Sequence, residues 1–181
     1  MEDFARKTMN RELTVPFVVT LLSVLIVIAG IFLPYMSATG EMAKYIENYP
    51  NGIASEEYNL TNSDMEDIAV ISISKVAASA YSKEEGIIFD VIVWTFSLLL
   101  ALTALFVIIK KPIAVIIFDL MTCGVFAVLN LATSKDFIGA DKYAWGFAHH
   151  AMMIALVAVL AGAIWMFVKK IIVKRDLKAN S

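Results

Sequence analysis

Four apolar blocks, each long enough to cross a bilayer, constrain this chain more than any other feature. A spanning helix needs about 20 predominantly apolar residues. The first block runs from Pro16 to Met36, the second from Ile87 to Ile109, the third from Pro112 to Thr133 and the fourth from Tyr143 to Val168. Lys110 and Lys111 part the second from the third, and Lys169 and Lys170 close the fourth. At 60% hydrophobic and 18% charged residues, the chain lies outside the range of water-soluble domains, about 45–50% apolar and about 25% charged. The expected fold is an all-α integral membrane protein. Its core is a left-handed four-helix transmembrane bundle, with a small helical extracytoplasmic cap between helices 1 and 2.

Arg6, Lys7 and Arg11 precede the first block, as basic residues precede a signal peptide. The apolar stretch exceeds the about 7–15 residues of such a segment, and Ser37-Ala38-Thr39-Gly40 is a poor cleavage site, so it reads as a retained span. The expected plan is then a tail (1–15), a span (16–36), a long loop (37–86), a span (87–109), a turn (110–111), a span (112–133), a short loop (134–142), a span (143–168) and a basic tail (169–181).

Charge chooses the sides. The N-terminal tail, the 110–111 turn and the C-terminal tail carry ten basic residues between them, whereas loop 37–86 holds three lysines against nine acidic residues. The positive-inside rule puts both termini in the cytoplasm and the acidic loop outside. The net charge of −2 is too balanced for a nucleic-acid partner. The partners to expect are the bilayer itself, another protein or a second copy, and anionic lipid headgroups at the C-terminal tail.

Loop 37–86 has periodicity of its own. Met42, Tyr45, Ile46 and Tyr49 share one helical face, and Pro50-Asn51-Gly52 ends it. Ser63 and Glu66 have capping-box spacing, which predicts a helix over 64–81 with Ile68, Ile71, Val76 and Ala80 inward. Glu56, Glu57, Asp64, Glu66 and Asp67 lack the alternating spacing of a calcium loop and read as solvated surface. Asn59-Leu60-Thr61 fits a glycosylation sequon.

Within the spans, small and polar residues recur at four-and-three spacing. They are Pro16, Thr20, Ser23, Val27, Gly30 and Pro34 in the first, and Asp90, Ser97, Ala101 and Ala104 in the second. In the third they are Asp119, Thr122, Cys123, Asn130 and Thr133, and in the fourth Ala144, Ala148, Ala151, Ala155, Ala158 and Gly162. Such seams let helix backbones approach where lipid supplies no hydrophobic drive. Tyr35, Trp94, Tyr143, Trp145 and Trp165 read as interfacial anchors.

Intramembrane polar groups are the candidates for function, because each is costly unless it faces protein or water. Asp119 lies about 10 Å into its helix at roughly 1.5 Å per residue, with Thr103, Thr20 and Ser23 at a similar depth. It reads either as a fastener bonded to those hydroxyls or as a proton- or cation-linked carboxylate. Asp90, Asn130, His149 and His150 form a second candidate group towards the acidic side. The adjacent histidines diverge by about 100° on a helix, and His149 points away from the alanine seam. No metal, cofactor or catalytic residue is expected: the single Cys123 excludes paired-cysteine motifs, and no phosphate loop or nucleophile elbow is present.

Four spans with a long first outer loop resemble the claudin-type tetraspan layout in topology. Loop 37–86 has neither Trp nor Cys, so that family's signature is missing. The order of spans is also similar to the membrane part of cell-division and macrolide-exporter type permeases, whose outer domains are much larger. The expectation is a non-enzymatic four-span protein acting through protein contacts, as an accessory or assembly subunit or through its outer cap. The alternative is a small transporter or channel protomer using Asp119.

Overall fold

The computed structural model describes residues 2–49, 53–54, 59–60, 69–74, 85–134 and 142–179, with side chains for 11–49, 69–74, 90–134 and 142–176. Four long helices dominate: α1 (Glu2–Gly30), α3 (Glu85–Ile108), α4 (Pro112–Thr133) and α5 (Phe147–Ala179). A short helix α2 (Gly40–Asn48) follows strand β1 (Met36–Ala38). Each long helix holds a segment apolar and long enough to cross a membrane: Arg11–Gly30, Asp90–Ile108, Pro112–Thr133 and Phe147–Asp176. The chain is a multi-pass helical membrane protein.

The helix ends differ from the sequence expectation at the first and fourth spans. Helix α1 starts far before Pro16, carries that proline internally and stops at Gly30 rather than Met36. The fourth span begins at Phe147, because Tyr143–Trp145 is strand β5, and its helix continues eleven residues past Val168. The third span has the predicted bounds. Pro112 opens it at a position where the missing N–H has no intrahelical partner to lose. Lys110, at φ 53°, supplies the left-handed step that reverses the chain between α3 and α4.

Strands β1 and β5 belong to a three-stranded antiparallel sheet that also contains β4 (Val70–Ile71), with β1 central. Met36 pairs with Ile71 and Trp145, and Ser37 with Val70 and Ala144. This overturns the continuous helix expected over 64–81. The strand residues Val70 and Ile71 are both β-branched, and such side chains pack well on a pleated surface. Strands β2 (Ile53–Ala54) and β3 (Asn59–Leu60) pair with each other. The capping-box residues Ser63 and Glu66, the acidic residues Glu56, Glu57, Asp64 and Asp67 and the sequon's Thr61 lie outside the described residues.

The sheet closes one end of the bundle by answering orphaned backbone groups. Gly146 N–H donates to Tyr35 O (2.8 Å) and Ala148 N–H to Pro34 O (3.0 Å), which satisfies the amide start of α5. Tyr35 N–H donates to Ile71 O (2.9 Å) and Ser74 N–H to Ile31 O (3.0 Å). The approach is so close that a Cβ on Gly146 would strike Pro34 O and stand 2.9 Å from Pro34 C. Backbone on both sides cannot yield as a side chain would. Gly146→Ala is therefore expected to destabilise the fold by about 1–3 kcal/mol, read as a lower unfolding midpoint of the purified protein in detergent. An unchanged midpoint would refute the close approach.

Below the sheet, α1 packs most extensively on α5, while α4 contacts both α3 and α5. Buried positions keep the four-and-three alternation: Leu13, Pro16, Thr20, Ser23, Val27 and Gly30 on α1, and Pro112, Val115, Asp119, Thr122, Phe126, Leu129 and Thr133 on α4. These agree with the expected seams, except that Pro34 is exposed and Cys123 and Asn130 are half-buried. On α3 the seam is rotated. Val93, Phe96, Leu100, Thr103 and Val107 face inward, while Ala101 is exposed and Asp90, Ser97 and Ala104 are half-buried.

On α5, Ala148, Ala155 and Gly162 lie inside as expected, but Met152, Val159 and Met166 fill the intervening places. Ala151 and Ala158 move to the flank, and Ala144 is exposed in β5. The reason is complementarity. Glycine on one helix receives bulk from the next: Gly30 lies against Met152, whose Sδ would be 2.6 Å from an added Cβ, and Gly162 lies against Thr20. A seam of small residues on every helix would leave voids that packed interiors do not tolerate.

Candidate functional site

Asp119 is wholly buried, and neither carboxylate oxygen has a hydrogen-bond partner among the described residues. The ring contacts Phe106–Phe118 (5.1 Å) and Phe96–Phe126 (5.7 Å) register α3 against α4 and set Thr103 at its level. The expected fastening to Thr103 or Ser23 is nevertheless absent. Thr103 donates to Leu99 O (2.9 Å), Ser23 to Val19 O (2.9 Å), Thr20 to Pro16 O (2.7 Å) and Thr122 to Phe118 O (2.8 Å). Each hydroxyl gives its one proton to the carbonyl four residues back, a habit of Ser and Thr in helices. A carboxylate needs donors, and these donors are taken.

The second candidate group is brought together only in part, and by residues that sequence reasoning assigned elsewhere. Tyr35 is fully buried rather than an interfacial anchor, and its hydroxyl donates to Asn130 Oδ1. Burial raises that hydroxyl well above its ordinary pKa, against an opposing hydrogen-bond contribution from Thr133. It therefore remains a donor. Around Tyr35 stand Trp145 (ring centroids 5.6 Å), His149 (5.6 Å) and Phe126 (6.3 Å) in edge-on contact. The His149 ring stacks on Trp145 at 4.0 Å and 18°.

His149 therefore points inward, contrary to expectation. Helix α5 contacts two neighbours and buries a face wider than one seam, and His149 occupies the side towards Phe126 on α4. His150 is exposed, and no hydrogen bond or ion pair among the described residues joins Asp90 to Asn130 or His149. Among the described residues, no group of three or more His, Cys, Asp or Glu could hold a metal ion. The arrangement is an aromatic plug with one internal hydrogen bond, placed where the sheet meets the bundle. The sequence concealed it, because the first span was expected to run to Met36, whereas α1 ends at Gly30, five residues before Tyr35.

Asn130 and Asp119 are eleven residues apart on α4, about 16 Å at the helical rise, so the plug and the buried carboxyl are separate features. At the opposite end of the bundle a groove of about 470 Å³ opens between the start of α4 and the C-terminal part of α5; Asp119 does not line it. Comparison with protein-family models, curated proteins and solved structures gives no match. The fold and these sites therefore carry the functional argument on their own.

Proposed function

We propose that the chain is a non-enzymatic four-span membrane protein that acts through protein contacts, as an accessory or assembly subunit, presenting its sheet end to a partner. The observation that carries this reading is the use made of intramembrane polarity. The buried hydroxyls bond their own helices, and at the sheet end Tyr35 bonds Asn130 inside a packed aromatic plug, in which the buried His149 Nδ1 has no hydrogen-bond partner among the described residues. Above that plug, α2 offers Tyr45 and Tyr49 side by side at 5.3 Å, both exposed. Paired exposed tyrosines are amphipathic contact residues of the kind enriched at protein interfaces.

The reading includes both termini in the cytoplasm and an extracytoplasmic cap, supported by ten basic residues against an acidic loop. It also includes a left-handed bundle, supported by the four-and-three alternation of buried positions. The test is site-specific photocrosslinking in native membranes from Tyr45 and from the lipid-facing Val157. A discrete adduct of one mass from Tyr45, absent from Val157, is the expected result. Recovery of uncrosslinked monomer from both positions would count against it.

A second reading is favoured by one observation, the unpartnered oxygens of Asp119. An intramembrane carboxyl outside any hydrogen-bond network is also what a proton- or cation-linked carrier would hold. Flux across a reconstituted membrane separates the two.

A further inference from the structure

We propose that the basic end of the bundle binds one anionic phospholipid in the groove between α4 and α5. The inference rests on the protein's being membrane-embedded and is independent of what its sheet end contacts. The groove has two tiers. At its mouth stand Lys111, Lys170 and Lys174, and no acidic residue among the described residues lines it. Its floor is formed by Ile113 and Ile117 of α4 and by Phe167 and Ile171 of α5. Phe167, Lys170, Ile171 and Lys174 follow one another at helical spacing, so a single face of α5 brings both apolar and basic side chains to the groove.

Two neighbouring cations, Lys169 and Lys110, are engaged elsewhere, which sets them apart from the three groove lysines. Lys169 pairs with Glu12 at 2.8 Å, and Lys110 lies over the Phe17 ring at 5.3 Å, both towards α1. The start of α4 adds to the field at the mouth. Pro112 occupies its first turn, which contains no acidic residue, and the amides of Ile113 and Ala114 belong to the set that helix starts leave without intrahelical acceptors.

The two tiers choose the occupant. A free phosphate would use the mouth and leave the floor bare. The floor belongs to the membrane spans Pro112–Thr133 and Phe147–Asp176, and Ile113, Ile117 and Ile171 are each more than half exposed. A phosphodiester headgroup on the lysines with an acyl chain along the isoleucines fills both tiers. Attraction of three lysines to an anionic headgroup predicts at least about a tenfold preference over a zwitterionic lipid with the same chains.

Native mass spectrometry of the full chain in detergent tests this, with equimolar phosphatidylglycerol and phosphatidylcholine of identical acyl chains. The expected result is one phosphatidylglycerol retained per chain at that preference. The preference should vanish in the triple variant Lys111→Gln, Lys170→Gln, Lys174→Gln. It should survive in Lys110→Gln, Lys169→Gln, Arg175→Gln, which loses the same charge outside the groove. Ile117→Trp, which fills the floor and leaves the lysines intact, should also lower retention. Equal retention of the two lipids, equal loss in both triple variants, unchanged retention in Ile117→Trp, or displacement of the lipid by millimolar inorganic phosphate would each overturn the proposal.

Discussion

Asp119→Leu is expected to stabilise the protein by about 1–3 kcal/mol, the usual penalty of an unsatisfied buried polar group. Leucine keeps the branched outline of aspartate and removes the polar atoms, its larger methyl groups offsetting part of the gain by overpacking. The carboxyl it replaces is fully buried, with both oxygens unpartnered among the described residues. Reversible unfolding by denaturing detergent would read the change directly. A loss of stability of similar size would instead make the carboxyl a fastener of the helices, the role that the hydroxyls of Thr103 and Ser23 are too committed to support.

The second large effect belongs to the α1–α5 contact. A Cβ on Gly162 would strike the Thr20 hydroxyl and approach Thr20 Cα to 3.4 Å. Gly162→Val is expected to destabilise by about 1–3 kcal/mol through overpacking, even though glycine is a poor helix former. Because the nearest obstacle is a side chain, Thr20→Ala should restore much of the loss. A double-mutant cycle measures that coupling, and residues in contact characteristically give interaction energies of about 0.5–3 kcal/mol. Strict additivity of the two substitutions would mean that the helices do not meet there.

The spans were legible because hydropathy over about twenty residues is a strong signal, and a proline with a basic turn before it marked the start of the third. The phase of the seams was harder. On α1 and α4 the small and polar residues do face inward, but on α3 Phe96 and Leu100 take the interior and Ala101 is exposed. Periodicity gives the spacing of a buried stripe, and the neighbouring helix decides which stripe is used. The sheet was missed for a related reason. Strand pairing joins Met36 to Ile71 and to Trp145, segments far apart in the chain, and local pattern cannot report so distant a partner.

The candidate residues divide along the same line. The unusual position of Asp119 was legible because a carboxyl in an apolar block stands out by composition alone. The inward turn of His149 was not, since it depends on α5 packing against α4 as well as α1. Tyr35 was misread because a tyrosine near a span end usually anchors at the interface. Here the chain folds back through β1 and carries it beneath the sheet, where its hydroxyl meets Asn130.

A bundle interior that is a sealed packing core, as the proposed contact role requires, conducts no ions. Proton and monovalent cation flux into liposomes reconstituted with the wild-type protein and with Asp119→Asn measures this, and no flux above that of protein-free liposomes is expected for either. Wild-type flux that Asp119→Asn abolishes would contradict the sealed core and make the buried carboxyl the centre of a transport path.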